Sequence, residues 1–490
     1  MASRFPRPLH SVILASLLLA GCGGRTDNGP VQVDVIGTRR QLAQPLDNGS
    51  NAGGQTMLAA TAQGLVAFDA EGALIGALAE RWIVEDDGSS YLFRLKRTRW
   101  PGGELVKAAE IARLLTARFK AYPGLAAGLD PKVRGMTDEV LEIRLPGPNA
   151  SFLQLLAHPA MGVAGKAGGS GPFLGKIHDG VATLVPVAAD APVAESERDA
   201  PAVARHFPVY LRAVRPALGF ARFARRQTDL LLGGRFQHLP YVAVATLPRN
   251  AVRADPVNGL LGLMIEGRSD FLGNRDVREV LSMAIDRDRI VTRLNLAGWR
   301  TATTLLPDRL ELARTPAQPT WSERAVALRR SYARSVVANW TRLNGAPPTL
   351  RIALPPGPGA RILFHSLQED YAAIGLTIAS VDADAPADLR LIDEVAPFDS
   401  AVWYLARIGC GLNALCSKEA EAQLDIARHA ATDTERATAL GEAETLSLAE
   451  ANYVPLGMPV RFALVRSRLT GYQLSPRARH PLNALFRDTR

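Results

Sequence analysis

Catalysis needs particular side chains brought together, and this sequence offers few of them. A hydrolase would carry Gly-x-Ser-x-Gly at a strand-to-helix elbow, His-Glu-x-x-His on a helix, or two carboxylates with separated pKa values. Neither motif occurs in the 490 residues. His158, His206 and His365 stand far apart and read as surface or core histidines rather than bases. Asp86-Asp87 precedes Gly88 in a turn pattern. The three cysteines say more. Cys410 and Cys416 have no His near them, which is too little for a zinc site. They either close a short loop as a disulfide or remain two free thiols. Cys22 stands apart, at the end of a brief apolar run.

That run, SVILASLLLAGCGG from Ser11 to Gly24, follows Arg4 and Arg7. A bilayer-spanning helix needs ~20 apolar residues, and Val12 to Ala20 supplies about half of that. A basic start, an apolar middle and small residues before a cut site make a signal peptide over residues 1–21. Leu19-Ala20-Gly21-Cys22 resembles a bacterial lipobox, in which the thiol is acylated and the chain is cut just before it. The alternative is an ordinary signal peptide with an incidental Cys. One acyl chain at ~0.8 kcal/mol per buried methylene holds marginally, whereas two or three hold firmly. The expectation is a soluble body tethered to a membrane by lipid on Cys22 through a flexible 22–30 linker. Export also favours the bridged form of Cys410 and Cys416. Gly23 is not the aspartate that retains enteric lipoproteins at the inner membrane, so the choice of membrane stays open.

The chain carries 57 Lys and Arg against 48 Asp and Glu, a formal charge of +9 that falls by two once Arg4 and Arg7 leave. The basic residues are nearly all Arg and are spread throughout, with no run that interleaves aromatics. A nucleic-acid groove is therefore not expected; the charge reads as a solvated surface facing anionic lipids. The length accommodates two or three domains.

The elements that must position any site follow from periodicity. VQVDVIG, Val31 to Gly37, alternates as a strand. TMLAATAQGLVAFD has helical spacing with a stop at Gly64. Beyond it come a turn at Asp86-Asp87-Gly88, a strand over Ser90–Leu95, a turn at Pro101-Gly102-Gly103 and an amphipathic helix over Ala108–Phe119. A further strand covers Val140–Leu145, followed by a Pro-Gly-Pro turn and a helix. In GSGPF, Gly169 to Phe173, the glycines read as a tight turn with positive φ; no Lys-Ser or Lys-Thr follows to make a phosphate loop.

Several of these segments resemble the family 5 extracellular solute-binding proteins, the oligopeptide, dipeptide and nickel receptors of ABC importers. The residues that carry the likeness begin with Leu78-Ala79 and Trp82, Asp87-Gly88, Phe93-Arg94-Leu95, Trp100, Gly102-Gly103 and Ala109-Glu110-Ile111. They continue with GSGPF, with Val277-Arg278 and Ala284-Ile285-Asp286-Arg287 taken as one helix, and with the closing helix and proline strand up to Tyr472. The chain departs from the family at EGRSDFLGN, which lacks the asparagine and proline expected there, and at Ile111.

The resemblance implies an α/β, periplasmic-binding-protein-like type II clamp: two lobes with an inserted extra domain. The first domain would take residues 31–58, 165–266 and 459–490, the second 59–164 and the third 267–458, with crossings near Gly267 and Pro459. It implies a monomer without cofactor or metal that closes around a peptide-like, anionic or other small organic ligand and is recognised by an ABC permease. In peptide-binding relatives an aspartate in a third-domain loop pairs with the ligand's ammonium group. The matching loop here is Trp403 to Cys416, and no carboxylate lies between Ser400 and Ser417. In its place Arg407 would offer a planar fork to an anion, Trp403 and Tyr404 a flat wall, and Asn413 a polar contact. In the first domain Gln55 and Thr56, in the loop GGQTM, are the candidates. A second class of reading remains, an envelope lipoprotein of the same fold that signals or binds proteins without transport. A secreted hydrolase is the third.

Overall fold

The computed structural model describes residues 29–47, 51–69, 72–123, 125–126, 129–149, 151–166, 168–187, 207–296, 298–308, 310–410 and 415–487. Cys22 with its apolar run, and Asn413, lie outside the described residues.

Val31–Ile36 forms a strand, as its alternation predicts, and runs parallel between Val209–Val214 and Leu230–Arg235. Val31, Val33 and Val35 are fully buried, and so is Asp34 on the opposite face. A carboxylate there is tolerated because it accepts hydrogen bonds from Arg222 Nε at 2.7 Å and from Thr228 Oγ1. The sheet has seven strands in the order Phe173–His178, Val181–Pro186, Val209–Val214, Val31–Ile36, Leu230–Arg235, Arg461–Val465, Val252–Ala254. It thus gathers the start, middle and end of the chain.

A second sheet has five strands, in the order Ile378–Asp382, Leu350–Leu354, Leu389–Val395, Gly259–Ile265, Tyr453–Gly457. The chain moves from the first sheet to the second between Ala254 and Gly259, and returns between Gly457 and Arg461. A third sheet, of four antiparallel strands, runs Ala79–Glu85, Ser90–Leu95, Val140–Arg144, Lys132–Gly135. The helix Ala108–Ala121 buries Ile111, Leu115 and Phe119, spaced four apart on one stripe, in this unit's core.

Three local expectations change. In GSGPF neither Gly169 nor Gly171 has positive φ; a Cβ on Gly169 would lie 2.2 Å from the Thr61 carbonyl oxygen, and one on Gly171 2.4 Å from the Thr61 carbonyl carbon. Close backbone approach, not turn geometry, demands glycine here. NRDVREVLSMAIDRDRI is two helices rather than one, Arg275–Met283 and Arg287–Leu294. Asn274 caps the first, accepting from Asp276 N at 3.0 Å, and Asp286 caps the second, accepting from Arg289 N at 3.1 Å. Their arginines are buried: Arg278 donates to the Glu450 carbonyl and Arg287 to that of Pro455, tying the helix pair to the strand Tyr453–Gly457 and the residue that ends the helix before it. Finally, GGQTM is helix, not loop: Ala52–Thr61 starts at the Asn51 cap, whose side chain accepts from Gly54 N at 2.9 Å.

Candidate ligand-binding cleft

A cleft of about 610 Å³ opens between the seven-stranded and five-stranded sheets. Its walls include Gly233 to Arg235 and Ile392 to Val395, at the carboxyl ends of the strands Leu230–Arg235 and Leu389–Val395, the edge where open α/β sheets place their ligands. Among the described residues no helix is long and apolar enough to cross a membrane.

Four expected residues meet in this cleft: Gln55, Thr56, Trp403 and Arg407. Thr56 is already engaged, its hydroxyl donating to the Ala52 carbonyl at 2.7 Å. Trp403, Tyr404 and Arg407 stand on the helix Ala401–Ile408 instead of in a loop. Helical geometry therefore separates them: Trp403 lines the cleft, while Tyr404 is 1% exposed and turns into the core behind it, ring against ring at 4.8 Å. Burial drives the Tyr404 phenol pKa upward. Arg407 does not present an open fork, because Nε and Nη2 hold both oxygens of Glu394, at 2.9 and 2.7 Å. This bidentate bond keeps the guanidinium charged more firmly than usual. Cys410 and Cys416 are joined, with Cα atoms 5.1 Å apart, between the helix Ala401–Ile408 and the next helix, Lys418–His429.

The carboxylates stand one step earlier than the expected loop, on the strand Leu389–Val395. Asp393 and Glu394 both line the cleft. Asp393 Oδ1 accepts from Arg461 Nη1 at 2.6 Å, while Oδ2 lies buried without a hydrogen-bond partner, 3.9 Å from Arg235 Nη1. Burial lowers the Arg235 pKa, and the neighbouring Arg461 adds to the effect. The sequence signal was an acidic pair closing the alternating run LRLIDEV, outside the window in which a carboxylate was sought.

A basic corner was also missed, although PRARH at 476–480 marks it in the sequence. Arg477, Arg479 and His480 line the cleft together with His158. Arg477 reaches Asp399, and His480 Nε2 lies 3.1 Å from Asp255. Arg479 stands over the Phe68 ring, 5.7 Å from its centroid, and its buried Nη1 has no hydrogen-bond partner. Burial, with Arg477 beside it, pulls the Arg479 pKa down to about 9. Burial and the Arg479 charge together hold His158 neutral, well below the ordinary imidazole value.

Whole-chain comparison decides the architecture. Burkholderia pseudomallei OppA superposes with a TM-score of 0.79 over 95% of this chain and 100% of its own, at 17% identity. The chain has the oligopeptide-binding-protein fold. The Escherichia coli murein tripeptide binding protein MppA shares this fold at a TM-score of 0.78, 15% identity, 94% of this chain and 99% of that one. Its unliganded open form scores 0.65. The expected type II clamp is the architecture found. By sequence, Escherichia coli glutathione-binding protein GsiB is 27% identical over 157 residues, 30% of this chain and 29% of that protein. The match therefore spans less than a third of the relative's length. No family model matches the chain.

Proposed function

We propose that the protein is a lipid-anchored extracytoplasmic receptor of an ABC importer, which closes two lobes around a peptide-like ligand and presents the closed form to a permease. The observation that carries this reading is the cleft of about 610 Å³ between two sheets joined by two chain crossings, with charged groups of both signs on its walls. That volume falls within the ~300–1,000 Å³ of small-ligand sites. The domain division given above, with its first crossing moved from Gly267 to between Ala254 and Gly259 so that the strand Gly259–Ile265 joins the third domain, and lipid on Cys22 complete the reading. MppA is a murein tripeptide binding protein and GsiB a glutathione-binding protein, so small acidic peptides are the ligands to try first.

In this scheme Asp393 takes the ammonium end, since its Oδ2 is buried without a hydrogen-bond partner among the described residues, and a buried carboxylate oxygen gains most from a cation. Closure works by differential affinity: a ligand that touches both walls binds the closed state more tightly, and only that difference moves the equilibrium. The test is small-angle scattering with calorimetry against di- and tripeptide mixtures. Saturable binding accompanied by a smaller radius of gyration is expected. A compact body that binds none of them and never changes size overturns the receptor reading.

A further inference from the structure

The chain enters the seven-stranded sheet at Val31, and the edge at which it enters is basic. Gln32 N donates to Asp229 Oδ2 at 2.8 Å, and Arg466 N to the Asp229 carbonyl at 3.0 Å. Arg466 also donates to the Phe223 carbonyl near the end of the helix Pro216–Ala224. The start of Val31–Ile36, the end of that helix and the end of Arg461–Val465 therefore meet. Segments 207–228, 246–254 and 461–479 hold no Asp or Glu. Asp34 and Asp229, the acids of this edge among the described residues, are buried and engaged by Arg222 and Arg468, each at 2.7 Å. Arg225, Arg226 and Arg249 are exposed, and among the described residues their side chains have no hydrogen bond or ion pair. Arg249 stands at the same edge, because Val465 N donates to the Ala251 carbonyl at 2.8 Å. Burial first, then the Arg226 and Arg468 charges, lower the Arg466 pKa. Arg226 takes the left-handed backbone after the helix, φ 60, a place usually given to glycine. At the other flank of the edge Leu174 pairs with Val185, 46% and 48% exposed, just past the register Leu184 to Val209 that starts the strand Val209–Val214.

We infer that this edge docks onto the anionic phospholipid surface to which lipid on Cys22 ties the protein, with Arg225, Arg226, Arg249 and Arg466 over the headgroups and Leu174 and Val185 at the interface. The tether selects the face. Residues 22–30 reach at most about 30 Å when extended, half the ~60 Å breadth expected of a body of this size, so the surface around Val31 is the part held near the bilayer. Charge selects the partner. Arginines near an anionic leaflet are each attracted to it, and basic groups beside exposed aliphatic ones suit a bilayer surface better than a soluble anion. The cleft lies at the opposite, carboxyl end of the strand Leu230–Arg235, so docking leaves it facing solution. The inference rests on the lipid-anchored reading and deepens it, from a tether to an orientation.

The test uses the mature protein, purified from its host in detergent and reconstituted in two kinds of vesicle: phosphatidylcholine alone, and phosphatidylcholine with phosphatidylglycerol in equal parts. A dye on Ser467→Cys, an exposed position between Arg466 and Arg468, reports nearness to a quencher carried on lipid headgroups; Cys410 and Cys416 are bridged and do not take the dye. Quenching should be stronger on the anionic vesicles and should fall back in high salt, which screens exposed charge. Combining Arg225→Gln, Arg226→Gln and Arg249→Gln, all exposed, should weaken the docked state about fivefold per arginine. A dye on Thr349→Cys, exposed on the other lobe, should not distinguish the two vesicles. Equal quenching of the Ser467→Cys dye on both vesicles, or an anionic preference that the triple variant keeps, overturns the docking face and leaves the anchor standing. Displacement by free glycerol phosphate overturns it too, because the arginines would then belong to a soluble anion. If mass spectrometry finds no acyl chain on Cys22, the anchoring reading fails by itself. The unacylated protein should then still co-sediment with the anionic vesicles and not with the zwitterionic ones; failure to do so overturns the docking face.

Discussion

Arg461 and Asp393 form a buried bond across the cleft: Nη1 of one, on the strand Arg461–Val465, meets Oδ1 of the other, on Leu389–Val395, at 2.6 Å, with both side chains under a tenth exposed. The two residues belong to different sheets, so this contact reports on how the lobes are set.

Removing one partner leaves the other as a buried, uncompensated charge. Asp393→Ala should therefore cost about 3 kcal/mol, read by urea unfolding. The exposed pair Arg97–Glu139, in which Arg97 is 84% exposed, is the comparison: Arg97→Ala should cost about 0–1 kcal/mol. Equal losses would show that the cleft pair is no more protected than a surface one.

Arg407 and Glu394 occupy one another. Arg407→Met frees Glu394 for a ligand ammonium group, so the preference for a free amino terminus over an acetylated one should grow by about 1 kcal/mol. Calorimetry with trialanine and its N-acetyl form measures this. A fall in affinity for both forms alike would instead make Arg407 a ligand contact.

The disulfide Cys410–Cys416 closes a loop of sequence separation 6. Constraining so short a loop is worth about 2 kcal/mol in the chain-entropy account. The double Cys→Ser variant should lose that much, and dithiothreitol should destabilise the wild type but not the variant. The carbonyls of Ile408 and Leu415 both accept from Asn452 Nδ2, at 3.2 and 2.7 Å, so part of the loop keeps its place without the bridge.

His238 is buried, with its pKa lowered to about 4 by desolvation first and by Arg235 second. Its folded value lies below the unfolded one. The unfolded chain therefore takes up the proton first, and the stabilisation present above about pH 6.5 is lost as the pH falls toward 4. His238→Asn keeps an acceptor for Arg235 N, which His238 Nδ1 now meets at 3.2 Å. Across that window it should flatten the pH dependence of unfolding by about 1.4 kcal/mol per pH unit. An unchanged slope would assign the acid sensitivity elsewhere, with His158 the next candidate.

Cys22→Ala should move the protein from the membrane fraction to the soluble one. Its persistence in membranes after a mild salt wash would remove lipid on Cys22 as the tether.

Much of the fold was legible in the linear chain. The alternation of Val31–Ile36, the stripe of Ile111, Leu115 and Phe119, and the turn at Asp86–Gly88 follow from backbone periodicity and local turn chemistry, which a residue shares only with its near neighbours. The same local reading misplaced the start of helix Ala52–Thr61, which the Asn51 side chain caps ahead of loop-like GGQTM, and missed helix Ala401–Ile408, which starts at Ser400 without a side-chain cap bond. The order of the weak motifs, rather than any one of them, pointed to the type II clamp.

The charge pattern of the cleft belongs to the tertiary structure alone. Arg407 looked available and is held by Glu394, while Arg479, unremarked in the sequence, lines the cleft with a buried Nη1 that meets no acceptor among the described residues. Whether an arginine can serve a ligand depends on which carboxylate the fold sets against it, and the deciding partners are distant along the chain: Arg461 and Asp393 are 68 residues apart, His480 and Asp255 225. Periodicity settles which face a side chain takes within its own element. Only the packing of separate sheets determines which charges meet, and so which one remains to be answered.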